Sequence, residues 1–226
     1  MTAEPETTGD RRADDRWLLR CGALAGPLFI ATVFIQDLTR PGFDPRVHLL
    51  SQLALGSWGW VQTLNFSLAG VLNLLYAVGL WRGEHRRSGT WAPLPIAAFG
   101  VLLIGVAVFP TDPGKGFPPG VATPAHPSVP GVIHALSALF LFGSLTAAIV
   151  MLSIVHAARR DRMWASYCVV SAVLVVTVFI YGMAHSSLTG PALQLAVLIG
   201  WSAPAFSALR FLCVESLASR FDLARS

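Results

Sequence analysis

Charge is scarce in this chain. Only 12% of its 226 residues are Asp, Glu, Lys or Arg, whereas a water-soluble domain carries about a quarter. Too few polar side chains exist to cover a water-facing surface, so a soluble globular domain is excluded. Lysine is almost missing, Lys115 being the sole example. Cysteine is limited to Cys21, Cys168 and Cys213, and no CxxC or similar pairing exists, which removes thiolate metal motifs and a disulfide framework. There is no HExxH, no phosphate-binding loop and no dinucleotide fingerprint, so no nucleotide partner is indicated. No basic stripe interleaved with aromatics points to nucleic acid. The middle of each apolar stretch lacks ionisable residues and no inverted repeat is evident, which argues against a proton- or sodium-coupled transporter.

What the chain has instead is apolar runs. Six stand out: Trp17–Gln36, Trp58–Trp81, Trp91–Phe109, Gly131–Val155, Trp164–His185 and Pro191–Phe211. Each is near the roughly 20 residues that cross the hydrocarbon core as a helix. Their apolar character runs all round, as helices facing lipid and one another require. The first run ends without a small-residue cleavage site, so it reads as a retained helix. The fold class is therefore all-α, a polytopic membrane bundle with six transmembrane helices. Residues 1–16 read as a disordered cytoplasmic tail, 17–211 as the transmembrane domain, and 212–226 as an amphipathic cytoplasmic tail on the membrane surface.

The arginines orient it. Arg11, Arg12, Arg16 and Arg20 precede the first run. Arg82, Arg86 and Arg87 follow the second, and Arg159, Arg160 and Arg162 follow the fourth. Arg210, Arg220 and Arg225 close the chain. Only Arg40, Arg46 and Lys115 fall on the other connections. Such a bias places both termini in the cytoplasm of a cell membrane. It also has the arginines facing anionic headgroups, so membrane lipids are the expected partners. The three cysteines then lie toward the reducing side, as small apolar fillers.

The two longer outer connections differ in character. Residues 37–57 hold His48-Leu-Leu-Ser51-Gln-Leu-Ala-Leu, whose leucines suit an interface or a fold back over the bundle. Residues 110–130 contain seven prolines and predict a stiff cover without helix or strand. Pro27 and Pro204 interrupt the first and sixth runs, while Pro93 and Pro95 suit an opening turn. Gly100, Gly105, Gly143 and Ala147 are the small residues that let membrane helices approach.

Polar chemistry collects on the outer side: Asp37, Asp44, His48, Ser51, Asp112, His126, His134, His185, Ser186 and Ser187. The ends of adjacent antiparallel helices reach similar depth, so these elements can converge. Neutral imidazoles and a carboxylate suit zinc, with an open position to activate water. The metal candidates are His48, Asp112, His134 and His185, and the catalytic candidates are Ser51, Asp112 and His134. His134 with His185 is also a conceivable haem pair. The bland alternative is helix capping, since Asp112 sits in Phe-Pro-Thr-Asp-Pro, a natural turn. In the second run Gln62, Asn65 and Asn73 form a polar stripe descending into the bilayer. Asn65 and Asn73 are the substrate-contact candidates if it lines a lipid-head pocket. If it is structural, its partners are expected on Ser137, Thr146 or Thr177. His85 and His156, among arginines, read as solvated loop residues.

Several short stretches together resemble a bacterial six-helix membrane family known only as a domain of unknown function. They are His48-Leu-Leu-Ser51-Gln-Leu, the Asn65-Phe66 opening, Val108-Phe109-Pro110-Thr111-Asp112, and His134 in His-Ala-Leu-Ser-Ala-Leu-Phe. The resemblance implies six helices and an outer-face site around Ser51, Asp112 and His134, without supplying an activity. A more distant similarity is to the ceramidase and adiponectin-receptor group of intramembrane zinc hydrolases, which combine Ser, Asp and three His at one face. That similarity implies roles for Ser51, Asp112, His134 and His185, with His48 or His126 as the third imidazole. Six spans instead of seven, and a last helix without paired histidines, depart from it. Two functions follow. One is metal-dependent hydrolysis or transfer of an acyl or amide group of a lipid-like substrate. The other is a non-catalytic lipid-binding or membrane assembly protein.

Overall fold

The computed structural model describes residues 8–83, 91–185 and 187–223. The described chain is helical, without strands. Its six α-helices are α1 (Thr8–Thr39), α2 (Gly59–Arg82), α3 (Pro93–Val108), α4 (Val129–Ala158), α5 (Arg162–Ala184) and α6 (Thr189–Leu223). A 3-10 turn spans Leu50–Ala54. Five helices contain a segment long and apolar enough to cross a membrane: Arg16–Thr39, Gly59–Arg82, Val129–Ala158, Arg162–Ala184 and Thr189–Val214.

Helix α3 is shorter than the apolar run predicted. At 16 residues it reaches about 24 Å, against a hydrocarbon core of about 30 Å. The proline punctuation explains the difference. Pro93 starts the helix at its first turn, and the chain leaves it at Phe109, ahead of Pro110, because the residue before proline is pushed out of the helical region. At the other extreme, α1 starts at Thr8 and α6 continues to Leu223, so each extends beyond its apolar run.

Each helix packs on the next in sequence, and α6 closes the ring against α1. The short α4–α5 and α5–α6 connections hold those helices side by side, as in antiparallel bundles. Aromatic rings fill the centre. Phe29 of α1 stacks on Trp201 of α6 at 5.0 Å and meets Phe66 of α2 at 5.5 Å, while Phe99 of α3 meets Trp201 edge-on at 5.0 Å. These spacings are the favourable offset and T-shaped ones. Outward, the helices expose large apolar side chains such as Phe34, Leu139, Phe140, Val173 and Ile180. That surface suits lipid and not water.

Of the small residues predicted to permit close approach, Gly100 does so, against Gly70 of α2. Gly143 does not: a methyl group there would meet none of the described residues within 4 Å. It lies on the open side of α4, where its lack of a side chain serves no crossing.

The α1–α2 and α3–α4 connections cover one end of the ring, joined to each other through His48 and Gln52. In the first, Phe43, Leu50 and Leu53 are buried in the core, so the segment folds back over the bundle as its leucines require. The proline-rich connection carries no helix. It tightens at Gly114–Phe117, with Lys115 and Gly116 at positive φ of 55° and 85°, and buries Phe117.

Candidate functional site

The polar residues predicted for the outer face do not meet at one point. They separate into a latch between α3 and α4, a clamp on the first connection, a carboxyl–amide pair between α1 and α6, and an isolated histidine.

The latch is built by Asp112 and His134. A helix leaves backbone N–H groups unpaired at its start and carbonyls unpaired at its end. Helix α4 starts at Ser128, whose Oγ accepts the Gly131 N–H at 3.0 Å. Asp112, in the α3–α4 connection, accepts the Ser128 N–H at 2.9 Å and also its hydroxyl. The carboxylate thus completes the cap at the end of the helix where negative charge is favoured. In return, the His134 ring of α4 reaches the C-terminal end of α3, with Nδ1 2.8 Å from the Phe109 carbonyl. A carbonyl only accepts, so Nδ1 carries the hydrogen. The connection's carboxylate therefore serves the start of α4, while the α4 histidine serves the end of α3. The hydrogen bonds from Ser128 hold the Asp112 carboxyl below the usual carboxylate range, and the nearby His134 ring adds to this.

The clamp centres on His48 and Gln52. His48 Nδ1 accepts the Asp44 N–H at 2.8 Å, so its Nε2 carries the hydrogen and donates to the Lys115 carbonyl at 3.0 Å. The ring is 6% exposed and lies between Phe43 and Phe117 at 5.3 and 5.4 Å. Both nitrogens are occupied by backbone, which leaves no lone pair to offer a metal. Gln52 does parallel work: its amide donates to the Gly114 carbonyl at 3.0 Å and accepts the Leu49 N–H at 2.9 Å. Ser51, beside it, is half-buried.

The other candidates stand apart. His185 terminates α5, bonded through Nδ1 to the Tyr181 carbonyl at 2.9 Å and stacked on the Tyr181 ring at 4.2 Å. His126 is exposed in the proline-rich connection, and Ser186 lies outside the described residues. Of the predicted set, Asp112 and His134 are brought together. His48 touches the same connection three residues further on, and His185 belongs to another corner. Among the described residues, no three His, Cys, Asp or Glu side chains converge as a metal-holding group.

The stripe on α2 finds partners other than those predicted. Asn65 donates to the Phe29 carbonyl of α1 at 3.1 Å and to Gln62 Oε1 at 3.2 Å. Gln36 of α1 donates to the same Gln62 oxygen at 2.7 Å. Asn73 donates to the Ala69 carbonyl of its own helix at 2.8 Å. The ring order is the reason: α2 sits between α1 and α3, so Gln62 and Asn65 face α1, and the stripe does not reach Ser137, Thr146 or Thr177 on α4 and α5. The stripe is buried, with Gln62 and Asn65 joining α2 to α1.

His156 is the second correction. It is 1% exposed, with Nε2 3.0 Å from Ser207 Oγ and its ring stacked on Phe211 at 5.0 Å. Helix α4 runs past it to Ala158, so it lies inside the α4–α6 packing and not in a loop. The signal in the sequence was the unbroken apolar run through Ile154-Val155.

Sequence reasoning also missed the pairing of Asp37 with Gln194. Gln194 Nε2 donates to Asp37 Oδ2 at 3.0 Å, while Asp37 Oδ1 is buried without a partner among the described residues. The pair sits over a groove of about 60 Å³ lined by Ile30, Val33, Phe34, Leu50, Val197 and Leu198.

Helices of this length and apolarity, closed in a ring with polar latches at one end, define an all-helical membrane protein. The chain belongs to the DUF998 family, described as a protein of unknown function, whose family model matches residues 23–213. No curated protein and no solved structure matches the chain.

Proposed function

We propose that this DUF998 member is a multi-pass protein of the cytoplasmic membrane with six crossings and both termini in the cytoplasm. Its role in this reading is to bind lipid without catalysis. The single observation that carries the non-catalytic part is how the outer polar residues are used. His48, Gln52, Asp112 and His134 are taken up by backbone groups of the connections and helix ends. A catalytic group needs a face left for substrate, and a capping group does not.

One observation favours the second reading, a hydrolase or transferase acting on a lipid-like substrate. The Asp112 carboxylate lies near enough to act electrostatically on the His134 ring, and zinc would suit those donors. Metal analysis of the purified full chain separates the two. The expected result is zinc well below one ion per chain, unchanged in His134→Ala. One zinc per chain, lost in His134→Ala while the protein stays folded, would return the enzyme reading to first place.

The orientation rests on the partition of arginines and has its own test. In a variant with Cys21, Cys168 and Cys213 changed to Ser, Ala125→Cys should react with an impermeant maleimide in intact cells. Reaction only after lysis would invert the topology.

A further inference from the structure

We propose that the groove between α1 and α6 holds a membrane lipid with an ammonium headgroup, the amine paired with Asp37 and an acyl chain lying along the apolar trough. This deepens the lipid-binding reading above and rests on it.

The groove has the polarity of such a lipid. On α1, Ile30, Val33, Phe34 and Asp37 share one face at helical spacing, and on α6 so do Gln194, Val197 and Leu198. Asp37 and Gln194 form one end, near the end of α1 and the beginning of α6. The apolar residues continue from there for about 10 Å along α1. A headgroup at the Asp37 end would place the chain pointing into the bilayer. Phe34, Ile35 and Leu38, on the same stretch of α1, are all well exposed, as a helix end turned to lipid requires.

The electrostatics call for a cation. Asp37 lies in the last turn of α1, where the helix dipole disfavours an anion. Among the described residues its Oδ2 has only the Gln194 amide, and its Oδ1 is buried with no partner. Arg40, one turn on, does not supply the charge. Its guanidinium donates to the Leu55 carbonyl and lies over the Phe117 ring, 6.0 Å from the centroid. A buried carboxylate oxygen with no donor is a costly arrangement. A primary ammonium brings three N–H donors and a full positive charge to it. A volume of about 60 Å³ admits such a group, or about two waters. An anionic head would meet the carboxylate as a like charge.

The test uses the full chain, delipidated and loaded from vesicles of either phosphatidylethanolamine or phosphatidylglycerol with matched acyl chains. Retained lipid is counted by native mass spectrometry. Phosphatidylethanolamine should be retained about tenfold over phosphatidylglycerol, the scale of one charge-assisted hydrogen bond. Asp37→Asn, isosteric and uncharged, should bring the ratio to about one. Leu198→Trp, which fills the trough, should remove both lipids. Equal retention of the two lipids by the unaltered protein, with Leu198→Trp still displacing them, overturns the headgroup assignment and leaves lipid binding standing. A preference that persists in Asp37→Asn overturns it likewise. Retention of neither lipid removes both readings together.

Discussion

His134→Ala should lower the unfolding free energy by about 2–4 kcal/mol, the combined scale of an orphaned buried carbonyl and a lost buried side chain. The ring is 4% exposed and its Nδ1–H serves the carbonyl that ends α3. Asp112→Ala acts at the other end of the same junction, removing the carboxylate that receives the Ser128 N–H. The two changes should be less than additive, because either one frees the α3 end from the α4 start. Unfolding by heat or by denaturing detergent in a defined micelle reads all three variants. Strict additivity would show that the two contacts are independent and that no latch exists.

The carboxylate makes this junction sensitive to acid. Asp112 titrates below an ordinary carboxylate in the folded protein, so its contribution is fully present above the unfolded value near 4. It is lost as pH falls through the lower folded value. Asp112→Asn should therefore be less stable than the unaltered protein at neutral pH, and the two should converge in strong acid. Gly131 adds a steric check. A methyl group on it would overlap the Asp112 carboxylate, so Gly131→Ala should displace the cap and resemble Asp112→Ala.

Much of this architecture was legible in the sequence because the signals are periodic or terminal. Apolar runs, proline stops and leucines in an outer connection each report a local preference. Helices α2, α4 and α5 fall within a few residues of the predicted runs, α1 and α6 extend well past one end of theirs, and α3 is shortened by the prolines at its ends. Asp112 read equally well as a cap or as chemistry, and here its partners are capping partners. What stayed hidden depends on which helix neighbours which. Gln62 and Asn65 were visibly a stripe, but that it faces Gln36 and Phe29 of α1 follows from the ring order. Asp37 meets Gln194 across 157 positions, and His156 meets Ser207 across 51. No local pattern encodes either meeting. A histidine flanked by arginines looks solvated until α6 is laid against it.

Gly70→Ala and Gly100→Ala should each cost about 2 kcal/mol or more, whereas Gly143→Ala should be neutral or slightly stabilising. All three are glycines in apolar helices, and by composition alone they are equivalent. At the α2–α3 crossing the backbones touch. A methyl on Gly70 would lie 2.7 Å from the Gly100 carbonyl oxygen and 2.7 Å from Ile104 Cγ1. One on Gly100 would lie 2.8 Å from the Gly70 carbonyl oxygen and 3.0 Å from Leu74 Cγ. Backbone oxygens cannot swing aside as a side-chain tip can, so the helices must separate along the whole contact. That separation also loosens Phe99 and Phe66, which carry the central aromatic cluster. Gly143 faces open space, so alanine there gains helix propensity of up to about 1 kcal/mol without a clash. Unfolding midpoints of the three variants in one detergent decide the matter. Equal effects at Gly70 and Gly143 would mean that α2 and α3 do not cross at their glycines, and the ring order that sets every polar pairing described above would fall with it.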